Sequence, residues 1–107
     1  MTVCVGSDSI RDCWMPFGNA DMLKRAFLTV YRSNFRTDAN VELALEFSTT
    51  GSGNTIGLKR YGYDLGCRVD FVLLPFETPS EAVAMRGSKQ HAFSTGRLVA
   101  EDRHCLI

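Results

Sequence analysis

Thr2-Val3-Cys4-Val5, followed at once by Gly6-Ser7-Asp8-Ser9-Ile10-Arg11-Asp12-Cys13-Trp14-Met15-Pro16-Phe17-Gly18, is the stretch that carries the fold assignment of this chain. Four β-branched or apolar residues that run into a glycine predict a short strand, and the polar Ser7-Asp8-Ser9 that comes next predicts the loop it feeds. The loop concentrates reactive and rigid residues: two further carboxylate or thiol side chains at Asp12 and Cys13, an indole at Trp14, and Pro16 and Gly18 as punctuation. A carboxylate at the carboxyl end of a parallel strand, the place Asp8 would take, is where barrel enzymes put metal ligands and proton-transfer groups. Taken by itself, an Asp in that place is more often a turn or capping residue.

Working outward, Asn19 can cap a helix in which Met22, Leu23, Ala26, Phe27, Val30 and Tyr31 recur at spacings of one, three and four. A second helix is expected to start after Thr37 or Asp38 and to bury Val41, Ala44 and Leu45, with Leu43 and Phe47 broadening the stripe and Glu42 and Glu46 left in solvent. Thr50-Gly51-Ser52-Gly53-Asn54, with the residues on to Gly62, reads as a loop that includes a helical turn. Val69 to Leu74 reads as an apolar strand, ended by Pro75, whose continuity predicts burial on both faces. Thr78-Pro79-Ser80-Glu81 is a capping box with proline at the first helical position, predicting a helix to about Met85 that Gly87 stops. Gln90 to Ser94 and Leu98 to Glu101 form a hairpin across Thr95-Gly96-Arg97. The first strand has no evident partner; a parallel pairing with Val69 to Leu74 fits the length of the crossover, and the alternative is that its partner strands lie outside this chain.

In 107 residues with 12 Lys+Arg and 12 Asp+Glu there is no excess of basic charge, which disfavours nucleic acid as a partner. No apolar run approaches the roughly 20 residues of a membrane span, and the start lacks the basic and apolar regions of a signal peptide, so a cytoplasmic location without membrane contact is expected. Cys4, Cys13, Cys67 and Cys105 show no CxxC pairing and read as isolated thiols. Cys105 stands third from the end, where prenylation needs it fourth. Gly51-Ser52-Gly53 follows a helix and lacks the lysine of a phosphate loop. Glu42 with Glu46, or Asp64 with Asp70, are ordinary solvated carboxylates, and Arg86 with Lys89 are too few for a basic patch.

The loop and helix from Gly6 to Leu23 resemble the segment after the eighth barrel strand of bacterial-type cytosine deaminases, within the metal-dependent amidohydrolase superfamily. Tyr61 to Leu74 is similar to that family's return into its small β-sandwich, and Gln90 to Glu101 to the closing hairpin of the same sandwich. The resemblance covers nearly the whole chain but only the carboxyl-terminal third or so of a family member. It implies an α/β architecture: the C-terminal fragment of a (β/α)8 amidohydrolase barrel, with its last strand and helices in residues 1–60, plus part of the small β-sandwich in residues 61–107. A barrel alone takes about 250 residues, so the chain cannot close one.

The resemblance further implies hydrolytic deamination of a cytosine-like ring, by a water activated on iron or zinc. By motif position Asp8 is the metal ligand and proton-handling residue, and Trp14 walls the substrate pocket. Ser9 stands where cytosine deaminases commonly carry an acidic residue that binds the base, a departure that changes the polarity of the substrate contact. The family's His-x-His pair and other histidine ligands have no counterpart here. His91 and His104 lie far along the chain, without metal-ligand spacing, and read as structural. The chain alone is therefore expected to bind no catalytic metal and to lack activity, as a truncated part whose parent accepts a nucleobase-like substrate. The alternative is a non-catalytic module that pairs with another chain, with its own copies or with the missing barrel portion, because an orphan strand and apolar helix stripes need cover.

Overall fold

The computed structural model describes residues 1–14, 16–87, 90–102 and 104–107, so Met15 of the first loop and Lys89 beside Gly87 lie outside the described residues. Helices come first. Asp21 caps α1 (Met22–Ser33), its carboxylate accepting the N–H groups of Leu23 and Lys24 at 3.0 and 3.2 Å. Asn19, expected to be the cap, instead accepts the N–H of Asp21 itself. Asn34 ends the helix in the left-handed conformation. Thr37 caps α2 (Asp38–Ser48) through Asn40 N–H, and the six-residue α3 (Thr50–Thr55) follows after Thr49.

The glycines of α3 are there for space rather than for turning. A Cβ on Gly51 would lie 2.1 Å from the carbonyl oxygen of Val3, and one on Gly53 would lie 2.5 Å from the Tyr61 ring. Turn-rich composition thus conceals a helix whose close neighbours leave no room for side chains.

Four strands then form one sheet in chain order: β1 (Phe71–Leu73), β2 (His91–Ser94), β3 (Arg97–Glu101) and β4 (His104–Cys105). Between β1 and β2, α4 (Pro79–Met85) starts as its capping box predicts, with Thr78 accepting the N–H of Glu81 at 3.1 Å, although the left-handed C-cap is Arg86 rather than Gly87. Every pairing is antiparallel. Thr95 and Gly96, both at positive φ, make the two-residue turn of the β2–β3 hairpin. The β2–β3 register slips between Ala92 and Phe93, leaving Val99 as the extra residue of a bulge.

This corrects the barrel-fragment assignment. Residues 2–5 form no strand; the Val5 N–H donates to the carbonyl of Phe47 at the end of α2, 3.0 Å away, so the run is tied to helices rather than to a parallel ladder. What stands in its place is a set of helices beside an antiparallel sheet, α4 falling between the first two strands, with no parallel strand pair among the described residues. The run of Val69 to Leu74 is likewise not buried on both faces: β1 covers only three of its residues and lies at the sheet edge, with all three exposed.

Helices α1, α2 and α4 pack on one another around Ala26, Ala44, Ala82 and Val83. Among the described residues no helix Cα comes within 8 Å of a strand Cα. Between the two lies an open cleft of about 720 Å³, bounded by Leu23 and Leu45 on the helices, Phe71, Val72 and Phe93 on the sheet, and Tyr61. Such an arrangement leaves much surface wet: 7997 Å² against about 6,000 Å² for a folded monomer of 11.9 kDa.

Candidate functional site

The three residues singled out from the first loop lie on one solvent-facing stretch. Asp8 is exposed, with φ of 62°, a left-handed conformation that Asp tolerates better than most side chains. Ser9 donates its hydroxyl to the carboxylate of Asp12, which also accepts the Trp14 N–H at 2.8 Å. Arg11 fastens the far end of the loop, its Nε donating to the Gly18 carbonyl at 2.8 Å. Asp12 is thus the organiser of the loop, a role the sequence pattern did not suggest. The Trp14 side chain is 94% exposed and walls nothing within this chain.

As a cation site the loop is incomplete. No group of three or more His, Cys, Asp or Glu side chains gathers at one point among the described residues, so Asp8 offers a single carboxylate where a catalytic metal needs about three protein ligands. The residues present do not by themselves fit such a metal. The histidines are engaged elsewhere: Nε2 of His91 meets Oε1 of Glu101 at 2.9 Å across β2 and β3, and Nδ1 of His104 lies 3.1 Å from the carbonyl oxygen of Asp102.

The cleft between helices and sheet is a separate place, and neither Asp8, Ser9 nor Trp14 borders it. Its polar groups are Asn19, Asp21, Tyr61, Tyr63, Asp70 and Gln90 together with the hydroxyl residues Ser48, Thr49 and Thr50 where α2 meets α3, set among apolar side chains. Asp70 is fully engaged: it accepts the Thr95 N–H at 2.8 Å and the Ser94 hydroxyl at 3.1 Å, and pairs with Arg68 at 2.8 Å. The Thr95 N–H is the main cause that holds its carboxyl below the ordinary value, with Ser94 and Arg68 adding to it and partial desolvation opposing it. Tyr61 moves the other way: burial, then the neighbouring Tyr63 and Asp70, raise its phenol above 10.0, so it stays neutral and able to donate. Sequence reading passed over both tyrosines and took Asp70 for a solvated group; the one visible sign was an aromatic on either side of Gly62.

With this geometry in view, the likeness to known proteins becomes informative. No protein-family model matches the chain. Over 97 residues, 90% of its length, it is 31% identical to N-isopropylammelide isopropyl amidohydrolase of Pseudomonas sp. (strain ADP). Nearly the whole chain, 98%, superposes with a TM-score of 0.90 and 40% identity on the crystal structure of N-isopropylammelide isopropylaminohydrolase from Burkholderia multivorans. The homologues of this chain are amidohydrolases. The chain spans about a quarter of their length, 24% of the first and 27% of the second. Superposition at this level also supports the corrected architecture of helices beside an antiparallel sheet. No helix among the described residues is long and apolar enough to cross a membrane.

Proposed function

We propose that this chain serves hydrolysis of an exocyclic C–N bond on a nitrogen-containing ring, as one part of an amidohydrolase-type catalytic unit. The observation that carries the reading is homology to N-isopropylammelide hydrolases along almost all of the chain. It favours a ring bearing an alkylamino substituent over cytosine, and Ser9 agrees: a hydroxyl in place of an acidic base-binding residue removes the negative contact a cytosine-like ring would meet. Asp8 supplies the reacting centre with a carboxylate that can hold a proton or one coordination position, and Trp14, exposed here, supplies a flat apolar wall. The remaining ligands of the iron or zinc implied for intact family members come from outside these residues, so the chain alone binds no metal tightly and turns over no substrate.

The test is a transplant. The corresponding segment of the Burkholderia multivorans enzyme is replaced by this chain, and release of isopropylamine from N-isopropylammelide is followed, with cytosine as the competing substrate. The expected result is an active chimera in which Asp8→Asn lowers kcat by about 100-fold or more, while the isolated chain is inert. A folded chimera without C–N hydrolysis, or one that is indifferent to Asp8→Asn, overturns the proposal.

A further inference from the structure

We propose that Asp12 is the positioning residue of the Asp8 loop and fixes the polarity of Ser9, so that the site takes a ring offering an N–H at that contact. The inference rests on the C–N hydrolase reading above and names the chemistry that Ser9 selects within it.

A serine hydroxyl is ambivalent by itself: it carries one hydrogen to donate and two lone pairs to accept with, and it rotates to suit its neighbours. Here both donors of Ser9 are spent inside the loop. Its backbone N–H donates to the carbonyl of Ser7 at 2.8 Å, and its hydroxyl donates to Oδ2 of Asp12. A carboxylate has no hydrogen to give back, so the second bond runs in one direction only. What half-buried Ser9 has left to offer is the lone pairs of its oxygen, to which no other described residue donates.

Asp12 is itself held in place. Its other oxygen, Oδ1, accepts the Trp14 N–H at 2.8 Å, and the loop is closed beyond it by Arg11, whose Nε reaches the Gly18 carbonyl at 2.8 Å. One side chain thus orients both residues proposed to touch the ring, Trp14 through its backbone and Ser9 through its hydrogen. A neutral acceptor in that place matches a ring N–H. It is mismatched to a bare ring nitrogen, where two lone pairs would face each other. N-isopropylammelide meets the requirement, since its ring is a lactam-type triazine with N–H groups.

The test uses the chimera that carries this chain and two substrates: N-isopropylammelide and its mono-O-methylated lactim ether, in which a ring N–H has become a bare nitrogen. Asp12→Asn is nearly isosteric. With Oδ1 kept on the Trp14 N–H, the new amide donates to the Ser9 oxygen and turns the hydroxyl hydrogen toward the substrate. The ratio of kcat/KM for the two rings is expected to shift toward the lactim ether by about tenfold or more, and to stay where it is when the same substitution is made in a Ser9→Ala background. A merely structural role would lower kcat for both rings alike and leave their ratio unmoved. Should Asp12→Asn fail to fold, Asp12→Glu and Ser9→Ala decide: the first, still an acceptor only, is expected to keep the preference for the N–H ring, and the second to abolish it. An active chimera whose ratio Asp12→Asn does not move, or moves equally without the Ser9 hydroxyl, overturns this proposal alone, as does a preference that Asp12→Glu inverts or Ser9→Ala preserves. A chimera inert before any substitution in this chain overturns the hydrolase reading, and this proposal with it.

Discussion

Gly53 carries a constraint that helix propensity alone would misjudge. Alanine is about 1 kcal/mol better than glycine inside a helix, yet a methyl here would press against Tyr61 at 2.5 Å. Overpacking of that kind costs about 1–3 kcal/mol, so Gly53→Ala is expected to lower stability in urea denaturation, and a gain would show that the tyrosine ring swings aside freely. Asp70 gives a prediction in pH. Its folded carboxyl titrates below the ordinary 3.8 because of Thr95 N–H, Ser94 and Arg68, so its contribution to stability is complete above that value and disappears as pH falls through the lower folded one. Melting temperatures of the wild type and Asp70→Asn should differ by a constant amount at neutral and mildly acidic pH and converge only in strong acid. A gap that closes near pH 6 would mean that another group governs the loss.

Among the elements, those that were legible carry their own local signals. Thr78-Pro79-Ser80-Glu81 announces α4, and Thr78→Ala should cost about 1 kcal/mol by leaving the Glu81 N–H without its acceptor; a loss below a few tenths in urea titration would mean that water replaces the cap at no cost. The β2–β3 hairpin is also readable, since Gly96 sits between two apolar runs. Its turn holds Thr95, a β-branched residue, at φ of 49°. Asn, which tolerates that conformation and keeps the N–H to Asp70, should stabilise the hairpin by about 0.5–1 kcal/mol in Thr95→Asn, as thermal melts would show. Where reading failed, the determining partner was distant. The β-branched and apolar residues 2–5 look like a strand, but a strand needs a ladder, and Val5 finds Phe47 instead. The glycines of α3 look like a loop because the neighbours that require them, Val3 at the far end of the chain and Tyr61 beyond the helix, lie outside the local pattern. The same holds for the candidate site: a motif pointed to Asp8, Ser9 and Trp14, whereas the cleft at Tyr61 and Asp70 arises from segments with no pattern in common.

At the scale of the whole molecule, a small core of alanines and one valine holds together helices that stand apart from the sheet across an open cleft. Stability of such a chain is linked to whatever covers its surface. The attachment of residues 3–5 to the end of α2 and the start of α3 has a consequence for experiments on the Asp8 loop. Because the Val5 amide is bonded to Phe47 and the Val3 carbonyl rests on Gly51, hydrogen exchange at Val5 reports whether the root of that loop is anchored. Slow exchange there would certify a native base for Asp8 before any substrate is added, and exchange as fast as a free peptide's would reveal a detached one.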